Sequence, residues 1–168
     1  MSDQTIVISA SPHIHSDRTS KKLMYDVLIA LIPAFLMSIY LFGISALVLT
    51  SVAVSTCLLF EYLIQKYLLK TEVTTADGSA LLTGILMAFN LPATLPIWMV
   101  VVGSLIANGV AKLSNGGLGN NIFNPALDGR VFLLVSFPVQ MTTWPIPVEN
   151  NMTLADATSG ATTLGIIK

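Results

Sequence analysis

The sequence predicts an all-α integral membrane protein, on three observations. Apolar residues make up 54% of the 168 residues and charged residues only 10%, against roughly one-quarter charged in soluble domains. The first two apolar runs are each close to the roughly twenty residues a helix needs to cross hydrocarbon. Lys and Arg fall between apolar runs rather than within them, as in a chain that threads back and forth through a bilayer. The formal net charge of -1 carries no basic footprint for nucleic acid, and none is expected as a partner.

Three regions follow: residues 1–22 as a cytoplasmic N-terminal segment, 23–141 as a membrane domain of about five helices, and 142–168 as an extracytoplasmic loop. The N-terminal segment is polar and lacks the small-residue pattern of a cleaved signal, so it is expected to be retained. His13 and His15 lie in it without a cysteine or carboxylate cluster at ligand spacing, and no metal site is expected. The first membrane segment runs from about Leu23 to Phe42 and the second from about Ile44 to Ile64. Cys57, alone in the second run, reads as a small packing residue and excludes an internal disulfide.

The third segment, about Ser79 to Leu91, is short and ends in Asn90-Leu91-Pro92. The fourth, about Leu95 to Ala111, contains Gly103, Asn108 and Gly109; the fifth, about Val131 to Met141, contains Pro138. Short or Gly/Pro-interrupted segments belong where helices tilt, stop inside protein or line a cavity. Five crossings with a cytoplasmic N-terminus place Arg18, Lys21, Lys22, Lys66, Lys70, Lys112 and Arg130 inside, leaving the outer connections without Lys or Arg. Trp144 then suits an aromatic belt at the outer surface.

Among polar residues in apolar surroundings, Asp26 and Glu61 sit near predicted helix ends, where they reach interfacial water. Asp77-Gly78-Ser79 reads as a helix N-cap. All three carboxylates are also functional candidates, as ionisable groups at membrane depth are. The block from Gly116 to Arg130, GGLGNNIFNPALDGR, lacks GxGxxG spacing and a preceding strand, so it is not a dinucleotide fingerprint. It reads as a structural loop in which Asn124-Pro125 initiates the turn into the fifth segment and Asp128 pairs with Arg130 or with a partner subunit. Arg130 is also a candidate anion contact, although the five-crossing topology places it on the opposite face from Thr162.

Asp156-Ala157-Thr158-Ser159-Gly160-Ala161-Thr162 shows neither helical nor strand periodicity and reads as a loop open to a modifying enzyme. An ordinary Ser/Thr-rich connector would have the same composition. The pattern Asp-x-x-[Ser/Thr]-Gly-Ala-[Ser/Thr] is more demanding, arising by chance in roughly one in a thousand chains of this length at average residue usage.

Ser11-Pro12-His13, the ADGSALLTG run from Ala76 to Gly84, the GGLGNNIFNPAL block and the terminal Ser-Gly-Ala-Thr together resemble the D subunit of Rnf electron-transport complexes. The B subunit of sodium-pumping NADH:quinone oxidoreductases shares the last motif but usually carries a longer N-terminal extension, so the shorter lead-in favours the Rnf member.

The resemblance implies a multi-pass subunit of a prokaryotic inner-membrane oxidoreductase, passing electrons between ferredoxin and NAD and exporting Na+ or H+. It implies FMN joined by a phosphoester to Thr162, with Asp156, Ser159, Gly160 and Ala161 forming the attachment motif and no catalytic acid or base in this chain. Expected partners are other membrane and flavin or iron–sulfur subunits, a flavin transferase, and lipid. Family members are about twice as long and built as two inverted repeats, so the five segments would be the first repeat, of a fragment or of a split subunit. A second, non-covalent flavin, FMN or riboflavin, and any ion path would then be incomplete, and their residues are unassigned. The reading from another class is half of a small-solute channel or transporter without a redox role.

Overall fold

A computed structural model describes residues 19–70, 75–117 and 119–145, together with the backbone of 159–160. The all-α expectation holds. Helix α1 spans Ser20–Phe42 and α2 spans Ile44–Leu63, the latter continuing as a π-helical stretch, Ile64–Leu69. A 3-10 turn, Thr75–Asp77, precedes α3, Ser79–Phe89. Helix α4, Ile97–Leu105, continues as a second π-helical stretch, Ile106–Leu113. Helices α5, Pro125–Ser136, and α6, Pro138–Thr142, follow. Strands β1, Trp144–Pro145, and β2, Ser159–Gly160, pair antiparallel.

By length and composition two of these helices can cross a membrane, α1 and the continuous helix Ile44–Leu69; Ser79–Phe89 and Ile97–Leu113 are shorter apolar helices. Gly43 alone joins α1 to α2. Its φ of 65° and ψ of -148° belong to a region open essentially only to glycine, which lets the chain reverse without a loop. The fifth helix begins six residues before the expected Val131, because Asn124 caps it by accepting from Ala126 N at 3.0 Å and Pro125 takes its first position. Asp128, Gly129 and Arg130 lower the local hydropathy there and conceal this first turn.

The core lies between α2, α3, α4 and α5, and includes Leu49, Ala53, Met87, Met99, Ala107 and Leu133. Small residues set its spacing. A Cβ built on Gly84 would lie 2.7 Å from Val54 Cα, so α2 and α3 touch backbone to backbone there. Hydroxyls inside this apolar frame are satisfied within their own helices, as with Thr50 to Ala46 O at 2.7 Å and Thr83 to Ser79 O at 2.9 Å. The non-helical stretch between α3 and α4 buries Leu91, Pro92 and Leu95, and Leu95 N donates to Pro92 O at 3.0 Å. Irregular backbone at depth is tolerated where protein surrounds it in this way.

Only Leu28 of α1 is buried, whereas Ile29, Ile32, Leu36 and Tyr40 are exposed. Opening the α2–α3 contact should therefore be far more damaging than trimming α1. Gly84→Ala is expected to lose about 1–3 kcal/mol of stability by overpacking against the Val54 backbone, and Ile29→Ala to lose much less, as read by thermal unfolding in detergent.

Candidate functional site

Two polar or cavity-bearing regions stand out, one at each end of the bundle. At the end holding the start of α1, Lys112 on the π-helical part of α4 reaches across to α2 and α3. Its Nζ donates to Glu61 Oε2 at 2.6 Å and to Ser79 Oγ at 2.8 Å. The pair is almost fully enclosed, with side-chain exposures of 2% for Lys112 and 0% for Glu61. Three helices are thus joined by one ammonium group. Glu61 Oε1 and, one turn of helix from Lys112, Asn108 Oδ1 are buried and accept no hydrogen bond from the described residues. Thr56 donates to Ser104 Oγ at 2.9 Å, and Ser104 to Val100 O at 2.8 Å, extending the polar seam between α2 and α4.

This arrangement corrects two expectations. Glu61 does not reach interfacial water; it is sealed against Lys112, a partner 51 residues away that one-dimensional hydropathy cannot reveal. Asp77 does not cap α3: Gly78 holds the N-cap position without a side-chain bond, and Ser79, the first helical residue, turns its hydroxyl to Lys112. Asp26 is exposed, as anticipated, and Cys57 is a buried free thiol in the packed interior.

Arg130 is also placed differently from expectation. It lies in the second turn of α5, half-buried, and donates to Asn90 Oδ1 at 3.1 Å at the end of α3. Among the described residues it makes no ion pair with Asp128. The preceding glycine-rich block is a loop, as expected: Gly116, Gly117 and Gly119 have φ of 97°, 86° and 93°. Gly117 N donates to Lys112 O at 3.0 Å, closing the end of the π-helical stretch.

The opposite end of the bundle holds a cavity of about 160 Å3 between α1, α2 and α3. Ala34, Ala46, Ala88 and Ala93 leave it open, and Trp144 and Pro145 close one side. The same two residues form β1, which pairs in the register Trp144↔Gly160 and Pro145↔Ser159. The backbone of Ser159 and Gly160 therefore lies beside two residues that line the cavity, a pairing that two residues without periodicity could not announce in sequence. Asp156, Ala161 and Thr162 lie outside the described residues, as does the side chain of Ser159. Among the described residues no group of three or more His, Cys, Asp or Glu could hold a metal ion.

A family model described as NQR2, RnfD, RnfE matches residues 7–168. The chain belongs to that family. Relatives in it include the D subunit of the proton-translocating ferredoxin:NAD(+) oxidoreductase complex of Clostridium ljungdahlii, 45% identical over 161 residues, which are 96% of this chain and 47% of the relative. The D subunit of the Na(+)-translocating ferredoxin:NAD(+) oxidoreductase complex of Acetobacterium woodii is 44% identical over 156 residues, 92% of this chain and 49% of the relative. The D subunit of the ion-translocating oxidoreductase complex of an Escherichia coli strain is 46% identical over 144 residues, 84% of this chain and 41% of the relative. The chain spans about half the length of these curated members of the NQR2, RnfD, RnfE family.

Within this family member the Glu61–Lys112 pair should behave as one unit. Lys112→Met leaves a buried carboxylate unpaired and is expected to destabilise by about 3–5 kcal/mol. Adding Glu61→Leu should restore most of that loss. A double-mutant cycle of unfolding in detergent reads the coupling, and additive losses would show the pair to be energetically independent.

Proposed function

We propose that this chain is a membrane redox subunit of an ion-translocating ferredoxin:NAD oxidoreductase complex, carrying FMN esterified through its phosphate to Thr162. The observation that supports the reading is the family match over residues 7–168, which include the terminal motif, together with relatives named as D subunits of ferredoxin:NAD(+) oxidoreductase complexes. The described structure fits such a group. The Ser159–Gly160 backbone is held against Trp144–Pro145, two residues before Thr162, beside a cavity whose walls are mostly alanine and aromatic side chains. In this reading Thr162 anchors, Asp156 and Ser159 order the loop, and Gly160 and Ala161 leave room for the phosphoryl group. FMN, when bound, supplies one- and two-electron chemistry that no side chain of this length of protein offers.

The proposed topology has five crossings, a cytoplasmic N-terminus and Thr162 outside, in a prokaryotic inner membrane. Lys21, Lys22, Lys66 and Lys70 support it by clustering at one end of α1 and α2. Lys112 and Arg130 no longer count towards that bias, since one is sealed in the Glu61 pair and the other lies inside α5. Other Rnf-type subunits and a flavin transferase are the proposed partners, and Na+ or H+ the exported ion.

The test is intact mass and in-gel flavin fluorescence after denaturation, with a flavin transferase co-expressed. Wild type should gain one FMN less one water, and Thr162→Ala should lose both the added mass and the fluorescence. An unmodified wild type in a fully assembled complex would refute the covalent-flavin reading.

A further inference from the structure

We infer that the outward face of α5 docks an apolar membrane helix of a partner subunit, one that sets a carboxylate against Arg130; the inference rests on the reading of this chain as part of a complex. Depth comes first. Gly129, the residue before Arg130, packs against the interior of the α4 helix: a Cβ built on it would lie 2.9 Å from Gly103 O and 3.1 Å from Ala107 Cβ. Gly103 is about 9 Å along the helix axis from the Ile97 end and further from the Leu113 end. The Arg130 side chain therefore starts within the height of the bundle and not at its rim.

A guanidinium there needs an anion. It has five N–H donors and, among the described residues, one hydrogen-bond partner: the Asn90 amide, whose Oδ1 accepts at 3.1 Å while its Nδ2 donates to Leu86 O at 2.8 Å. That neutral amide orients the guanidinium and leaves its charge uncompensated. Of the described carboxylates, Glu61 is sealed against Lys112, while Asp26 near the start of α1 and Asp77 just before α3 lie at the end of the bundle that holds the Lys112 pair. Asp128, two residues away on α5, faces another direction. Charged groups at membrane depth face protein interior or water and pair with an opposite charge, because a neutral contact alone leaves most of their cost standing.

The surroundings of Arg130 say what brings that charge. Leu127, Val131, Leu134 and Val135 recur at i, i+4, i+7 and i+8 along α5 and are all exposed, forming one apolar stripe. Around the helix Arg130 borders this stripe beside Leu134, between it and the buried Ala126, Gly129 and Leu133; Asp128 borders the far side beside Val135. At 12 residues, about 18 Å, α5 is too short to span about 30 Å of hydrocarbon as a lipid-facing helix. A small diffusible anion would answer the charge and leave the stripe bare. A helix answers both: its apolar residues cover Leu127, Val131 and Val135, and its carboxylate accepts the free N–H groups of Arg130 in the charge-assisted geometry that a guanidinium favours.

The test uses the whole complex. A benzophenone amino acid placed at Val131 or Val135 should photo-crosslink to a partner subunit, within an apolar segment that has Asp or Glu no more than about two turns from the captured residue. Arg130→Gln should lose those crosslinks and weaken retention of this chain in the complex about 30-fold or more, whereas Arg130→Lys should keep most of both. Neutralising the mapped carboxylate should weaken retention as much, with no further loss when it is combined with Arg130→Gln. Crosslinks to lipid alone, to this chain alone or to a segment without a carboxylate would overturn the docking, as would wild-type retention of Arg130→Gln. Should Arg130→Gln not fold, the crosslinks made from Val131 and Val135 with Arg130 in place decide alone. A wild type that purifies without other subunits refutes the complex reading itself, and the docking with it.

Discussion

The contact on which this bundle depends is the ammonium of Lys112, which closes α2 and α3 onto the π-helical end of α4 through Glu61 and Ser79. Between apolar surfaces in lipid there is little hydrophobic drive for helices to associate, so close packing and polar bonds must hold them. Glu61 and Lys112 could not remain charged and unpaired at 0% and 2% exposure. The pair therefore fixes which helices meet, and at what height. Backbone contact at Gly84 and Val54 continues the same interface towards the middle of the bundle.

The other end of the molecule is built on the opposite principle. The residues from α1, α2 and α3 that meet near Trp144 are mostly alanines and phenylalanines, and the hydroxyls of Ser38 and Thr50 among them turn back to carbonyls of their own helices. One end is tight and polar, the other apolar and incompletely filled. That asymmetry gives α1 little to hold against, and only Leu28 of its 23 residues is buried. Its exposed Ile29, Ile32, Leu36 and Tyr40 are compatible with hydrocarbon, where a helix satisfies all its backbone groups internally. The Pro33 ring within α1 leaves one carbonyl without its usual helical partner, an interruption of a kind apolar membrane helices tolerate.

Hydropathy made the helices legible, because burial in lipid or protein demands long apolar runs and Leu23–Phe42 or Ile44–Ile64 can satisfy that demand in one way only. It failed at Pro125–Arg130, where a loop-like composition forms the first turns of α5 behind the Asn124 cap. It failed again for Glu61, because an apolar-run test weighs each residue alone, and the lysine that neutralises Glu61 lies 51 residues further along the chain. The short ladder between Trp144–Pro145 and Ser159–Gly160 was invisible for a different reason: two residues have no period.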